Sequence, residues 1–147
     1  MVTPIIIWSV SLPLPQHDAP PSGAQDLIGY RIDLSDPSGV ARVVLDIQPQ
    51  HRNRNGTLHG GIHAMMLDAA AGFAASRFLT GDAPVLIPVL TLSLSTSYVA
   101  SAADGQVIAT GRVSGGGYKI VYGTAEVNDA TGRVLSTGSG VFKRVST

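Results

Sequence analysis

From residue 27 onward, apolar and polar residues alternate in short blocks whose period changes twice. Residues 27–34 read as a strand ending at Asp36-Pro37-Ser38-Gly39, a run in which every residue favours a turn. In residues 40–47, Val40, Val44 and Ile47 stand among Arg42 and Asp46, the pattern of a second, half-buried strand. A polar loop, 48–58, leads into His59-Gly60-Gly61. Residues 62–79 are then rich in Ala, Met and Leu, lack proline and stop near Thr80-Gly81-Asp82, which predicts one helix of about five turns. After Pro84 and Pro88 the period returns to two, with Leu90, Leu92 and Leu94 alternating with Thr91, Ser93, Ser95 and Ser97. Asp104-Gly105, Gly115-Gly116-Gly117 and Asp129-Ala130-Thr131-Gly132 set off three more strands, at 106–113, 118–127 and 133–143. Strands so close in sequence predict an antiparallel meander. The expected class is α+β, a long central helix against a sheet of about six strands.

That helix is apolar on nearly every side, unlike a helix with one face in water. Ile62, Met66, Ala69 and Phe73 predict a bulky stripe, and Gly61, Ala64, Ala71, Gly72 and Ala75 a side of small residues. Such a helix needs cover all round. A curved sheet supplies one side, and in a chain of 147 residues the small side predicts a second copy of the chain.

Composition narrows the function classes. Ten Lys+Arg balance ten Asp+Glu, and with only 14% charged residues there is no broad electrostatic footprint for nucleic acid and no polybasic run for an anionic membrane. The absence of cysteine excludes disulfides, zinc–thiolate and iron–sulfur sites and a cysteine nucleophile. Near the start, residues 4–14 are apolar (Ile5, Ile6, Ile7, Trp8, Val10, Leu12), but no Lys or Arg precedes them and Pro13 and Pro15 interrupt. The run is also shorter than the ~20 residues that span a bilayer. Residues 1–23 are therefore expected to form an extended arm and residues 24–147 the folded domain, with the cytoplasm as the expected location.

Within residues 62–75 the only ionisable side chains are His63 and Asp68. A carboxylate held in low dielectric is costly to ionise, and the small residues three and four positions away leave space over it. That is a setting for a general base or a nucleophile, although an acid bonded to a structural partner fits the position equally well. Gly60 and Gly61 sharpen the picture. At a helix start the backbone N–H groups lack intrahelical partners and the dipole is positive, so two residues without side chains let a ligand oxygen reach bare amides.

The run Asn53-Arg54-Asn55-Gly56-Thr57-Leu58-His59-Gly60-Gly61, with Asp68 nine positions after His59, resembles the phenylacetate-pathway type of hotdog-fold acyl-CoA thioesterase. The resemblance covers residues 29–142 and is most specific in the N-x5-H-G-G-x6-D spacing. It implies a hotdog fold, in which the sheet wraps the helix, and hydrolysis of a small acyl- or aryl-acyl-CoA ester. The Gly60 amide would polarise the thioester carbonyl, Asn53 would help bind or orient the reacting group, and His59 would hold the turn. Asp68, from the opposite subunit of a homodimer, would activate water or attack directly. Thr91 matches a position where Ser or Thr assists the acid. The strand alternation, however, puts Thr91 on the polar face, so it serves only if that face meets a subunit interface. The dimer is expected to pair into a tetramer.

Substrate contacts would come from Gly61 and from cations near the mouth, with Arg52, Arg54 and Lys119 as candidates and Lys143 and Arg144 nearby on the last strand. For any one of these, a solvated surface charge is the plainer reading. Ser114-Gly115-Gly116-Gly117 precedes a strand rather than a helix, so no nucleotide-type phosphate loop is expected. His59 and His63 are spaced as a zinc pair, yet no third ligand accompanies them, and neither a metal nor a cofactor is expected beyond the CoA ester as substrate. The rival reading is a non-catalytic module that binds acyl thioesters or scaffolds an assembly. A hydratase on the same fold ranks lower, because its His–Asp or His–Glu constellation is missing.

Overall fold

The computed structural model describes residues 22–146. Of the predicted arm, 1–23, only Ser22 and Gly23 fall in that range. Ser22 caps a short helix, α1 (Gly23–Ile28), by accepting from Gln25 N–H, and Gly29 ends it at φ 86°. The strand predicted over 27–34 is accordingly shorter, β1 (Arg31–Asp33). Its N-terminal half is taken by the helix, whose serine cap and closing glycine override the apolar Leu27 and Ile28.

β2 (Ala41–Asp46) follows the Asp36–Gly39 turn, and a single 3-10 turn (Pro49–His51) opens the loop to α2 (Gly60–Thr80). β3 (Val89–Tyr98), β4 (Gln106–Gly116), β5 (Ile120–Asp129) and β6 (Val134–Arg144) complete the chain. All six strands join one antiparallel sheet in the order β1-β2-β4-β5-β6-β3. The predicted meander therefore holds only for β4-β5-β6. β3 crosses to the far edge and bonds to β6 alone, leaving its other side unpaired in the described chain.

α2 lies on the concave face of this sheet. Its buried positions are His63, Met66, Leu67, Ala70, Ala71, Ala74, Ala75 and Ser76, against a core that includes Val43, Leu45, Val107, Val121, Val127, Leu135 and Phe142. This corrects the predicted division of the helix. Ala71 and Ala75 face the sheet, because glycines beneath them let the backbones approach: a Cβ on Gly123 would sit 3.3 Å from the Ala71 Cβ. The strip left half-covered or exposed runs along Gly61, Ala64, Asp68 and Gly72.

At its C-terminal end the helix is tied to the opposite edge of the sheet. The Arg77 guanidinium donates to the carbonyls of Val40 and Asp36, both at 2.8 Å, and so clamps the β1–β2 turn. Within that turn, hydrogen bonds from Ser38 and the Arg42 guanidinium hold the Asp36 carboxyl at a pKa of about 2.

Candidate active site

The loop before α2 is built by its own side chains. Buried His51 accepts Gln48 N–H on Nδ1 at 3.0 Å, so its Nε2 carries the proton and donates to the Ile28 carbonyl at 2.7 Å. Asn53 folds the next turn: its Oδ1 accepts the amides of Asn55 (2.9 Å) and Thr57 (3.2 Å), and its Nδ2 donates to Thr57 Oγ1 at 3.2 Å. The side chain predicted to orient substrate is engaged in shaping the loop that presents Gly60. Arg52 and Arg54 point out from the same loop and are exposed.

His59 is the N-cap of α2, with an extended backbone (φ −63°, ψ 136°), and its Nδ1 accepts Gly61 N–H at 2.9 Å. The His59 carbonyl accepts from Ile62 N–H at 2.9 Å and His63 N–H at 3.2 Å. Gly60 and Gly61 are thus the first two helical residues rather than the residues before it. The Gly61 amide, expected to be bare, is taken by the His59 ring, whereas among the described residues nothing accepts from Gly60 N–H. A free donor at a positive helix end, with no side chain over it, suits a developing oxyanion.

Asp68 lies two turns further on, half-buried on the uncovered strip. Thr91 Oγ1 donates to its Oδ1 at 2.7 Å. The alternation of β3 predicted Thr91 on the opposite face. A bulge reverses this: Thr91 pairs with buried Phe142, the register then skips Leu92, and Leu94 pairs with Gly140. Both Thr91 and Leu94 thereby face the helix, while Leu90 and Leu92 are turned out and are 58% and 56% exposed. Burial raises the pKa of the Tyr30 phenol, and the negative charge of Asp68 raises it further.

Asp68 and Gly60 are eight residues apart on one helix, so about 12 Å separates them along its axis. No single carbonyl reaches both within one chain.

Beside Gly60, His63 stood out in the sequence as one of two ionisable residues in 62–75, whereas Tyr98 and Ser136 carried no distinguishing signal. Tyr98, the last residue of β3, donates its hydroxyl to the Gly60 carbonyl at 2.7 Å. Its ring meets buried His63 edge-on, with centroids 5.6 Å apart and an interplanar angle of 79°. His63 Nδ1 is 2.8 Å from the buried Ser136 hydroxyl, and Ser136 pairs with Tyr98 in the sheet. A tyrosine that ends a strand and a serine inside one look like any others until the register brings them to the helix start.

Burial pushes the His63 pKa below the ordinary 6.5. As pH falls through 6.5, the unfolded chain therefore takes up a proton that the folded chain still refuses, and stability declines with each step towards acid until the folded pKa is passed. The urea midpoint is expected to fall from pH 7 to pH 5 in the wild type and to fall less in His63→Gln. An identical decline in both proteins would assign the acid sensitivity elsewhere.

Lys119 sits far from Gly60, on the β4–β5 turn, where its carbonyl accepts Arg144 N–H at 2.9 Å. The Arg144 guanidinium stacks 4.2 Å from the Tyr118 ring centroid. Among the described residues no group of three or more His, Cys, Asp or Glu side chains gathers as a metal site, and no helix is long and apolar enough to cross a membrane.

Comparison with known proteins bears on this geometry. The family model described as the thioesterase superfamily matches residues 55–136. The Mycobacterium tuberculosis protein Rv1847 is 27% identical over 113 residues, 76% of this chain and 78% of that one. Among solved structures, the conserved protein PA5202 from Pseudomonas aeruginosa superposes with a TM-score of 0.72 at 29% identity, covering 84% of this chain and 94% of the other. The PaaI protein of the E. coli phenylacetic acid degradation operon superposes with a TM-score of 0.71 at 17% identity, over 85% and 86% of the two chains, and shares the fold.

Proposed function

This chain belongs to the thioesterase superfamily and is a thioester hydrolase, and from that premise we propose that it cleaves small acyl- or aryl-acyl-CoA esters in a site shared by two subunits. The observation that carries the reading is the Asp68–Thr91 hydrogen bond on a helix that begins with the free Gly60 amide. The edge strand supports the sharing. β3 touches Asp68 through Thr91 near one end and Gly60 through Tyr98 at the other. Antiparallel pairing of this free edge with its own copy, centred on Ser95 and with Leu92 skipped as it is against β6, sets Thr91 opposite Tyr98 of the partner subunit. Asp68 of one chain then faces the partner's Gly60 across the gap that one chain cannot close.

In that site the thioester carbonyl accepts from Gly60 N–H. Asp68, oriented by Thr91, takes a proton from water, and the resulting hydroxide adds to the carbonyl carbon. The tetrahedral oxyanion is held by the Gly60 amide and the helix dipole, then collapses and expels the CoA thiolate, a good leaving group. Direct attack by Asp68 gives the same products through an acyl-aspartyl anhydride that water opens. His59 fixes the turn through Gly61, and Asn53 shapes the loop before it. Arg52 and Arg54, exposed on that loop, supply positive charge for CoA phosphates.

The test is a panel of phenylacetyl-, benzoyl- and medium-chain acyl-CoA esters with continuous thiol detection, run beside a mass measurement in solution. Many turnovers from a dimer, or from a dimer of dimers, are expected. Stoichiometric binding without thiol release would replace the enzyme with an acyl-thioester-binding module, and a monomer would remove the shared site.

A further inference from the structure

Gly60 is a poor choice of residue for holding a catalytic amide still. It is the first residue of the helix, it is followed by a second glycine, and neither has a side chain to anchor the turn. The first N–H groups of a helix also lack the hydrogen bonds that stiffen its middle. Yet an oxyanion donor works only if it is already aimed, because its contribution depends on a fixed position relative to the developing charge.

We propose that Tyr98 is a positioning residue that clamps the Gly60 turn and aims its amide at the thioester carbonyl, a role that rests on the hydrolase reading above. Three contacts carry the assignment. The Tyr98 hydroxyl donates to the Gly60 carbonyl at 2.7 Å. The hydroxyl end of the ring lies against the glycine, so that a Cβ built on Gly60 would be 3.5 Å from Tyr98 Cε1, Cζ and Oη alike. Behind it the ring is steadied by the edge-on contact with His63, itself bonded to Ser136. The clamp therefore runs from the sheet, through Ser136, His63 and Tyr98, to the residue at the start of α2 whose amide has no acceptor among the described residues.

The placement of Tyr98 on β3 gives the clamp a second consequence. β3 also carries Thr91, which orients Asp68. One edge strand thus sets both the acid and the amide, and any shift of that strand moves the two together.

Tyr98→Phe removes the hydroxyl and keeps the ring. The expected result is a fall in kcat of about tenfold, the worth of one hydrogen bond, with KM within twofold and a thermal midpoint lowered by no more than a few degrees. Backbone order parameters from 15N relaxation are expected to drop at Gly60 and Gly61 from about 0.85 towards 0.6, with the rest of α2 unaltered. Tyr122→Phe, which deletes a hydroxyl on the outer face of β5, serves as the control and is expected to change none of these. Unchanged kcat in Tyr98→Phe overturns the proposal, as does loss of activity with Gly60 and Gly61 still rigid. Should the wild type bind acyl-CoA esters without releasing thiol, the hydrolase reading fails separately, and the order parameters still judge the clamp.

Discussion

Asp68→Asn and Gly60→Pro chains, each nearly inactive alone, are expected to regain thioester hydrolysis when they are co-expressed. Asp68→Asn keeps the size of the side chain and its bond to Thr91 but removes the base, which typically supplies 10²–10⁴ of the rate. Gly60→Pro removes the amide proton itself. Proline is well suited to the first position of a helix, where φ is already near its fixed value and the N–H has no intrahelical acceptor. The residue before it must be extended, and His59 is, at φ −63° and ψ 136°. The new Cβ meets the Tyr98 ring at 3.5 Å, an ordinary contact. The variant should therefore fold, dimerise and lose about 10²–10³ in kcat for want of one oxyanion donor.

Mixing separates the shared site from an internal one. In a dimer of the two variants, one site combines Asp68 of the proline chain with Gly60 of the asparagine chain and is intact, while the other lacks both groups. With equal expression, half of the dimers are mixed and half of their sites work, so about one quarter of wild-type activity returns. If tagged, purified mixed dimers stay as inactive as either parent, acid and amide do not come from different chains. If Asp68→Asn alone turns over at the native rate, the carboxylate is not the base.

The parts of this site that were legible in the sequence are those set by local chemistry. The start of α2 follows from a histidine cap and a glycine pair, and its end from Gly81, whose N–H returns to the Arg77 carbonyl. The spacing from His59 to Asp68 fixes that acid on the strip the sheet leaves uncovered. What escaped the sequence depends on long-range pairing. The alternation of Leu90, Leu92 and Leu94 reads as one buried face, yet a single skipped residue at Leu92 sends the first two leucines outward and turns Thr91 to Asp68. A bulge of this kind leaves no mark in composition, because it is imposed by the partner strand. The crossing of β3 past β4 and β5 to the sheet edge was equally silent, since every strand after the helix is flanked by similar turns. Tyr98 gained its meaning only when that crossing brought it to Gly60. The small residues of α2 were visible, but which of them met the sheet depended on glycines on strands far along the chain.

Those glycines carry the largest expected effect on stability. Ala41, Gly111, Ala125 and Gly138 form one row across β2, β4, β5 and β6, all directly opposite one another and facing the helix. No side chain in the row extends beyond a methyl group, and α2 rests on it with Ala70, Ala71 and Ala74. At Gly111 the contact is backbone to strand: an added Cβ would fall inside the Ala70 carbonyl and 2.6 Å from Ala71 N. A flexible side chain can swing away from such a clash, but a helical peptide cannot, and lifting α2 would open every contact along the row. Overpacking usually costs about 1–3 kcal/mol, and here no cheap relaxation exists, so Gly111→Ala is expected to lose about 4 kcal/mol or to fail to fold. Gly138→Ala is expected to fall in between, since its Cβ would meet Leu67 Cβ at 3.3 Å, a contact that a helix shift of a few tenths of an ångström relieves. Gly115→Ala, on the same strand as Gly111, would meet only the Tyr122 ring at 3.9 Å and should match the wild type. Urea unfolding of the three variants checks the order. Because Asp68 rides on the helix that Gly111→Ala displaces while Thr91 stays with the sheet, any folded fraction should also lose kcat, which Gly115→Ala should keep. A Gly111→Ala protein within about 1 kcal/mol of the wild type would mean that the helix does not bear on this strand as closely as the small-residue row requires.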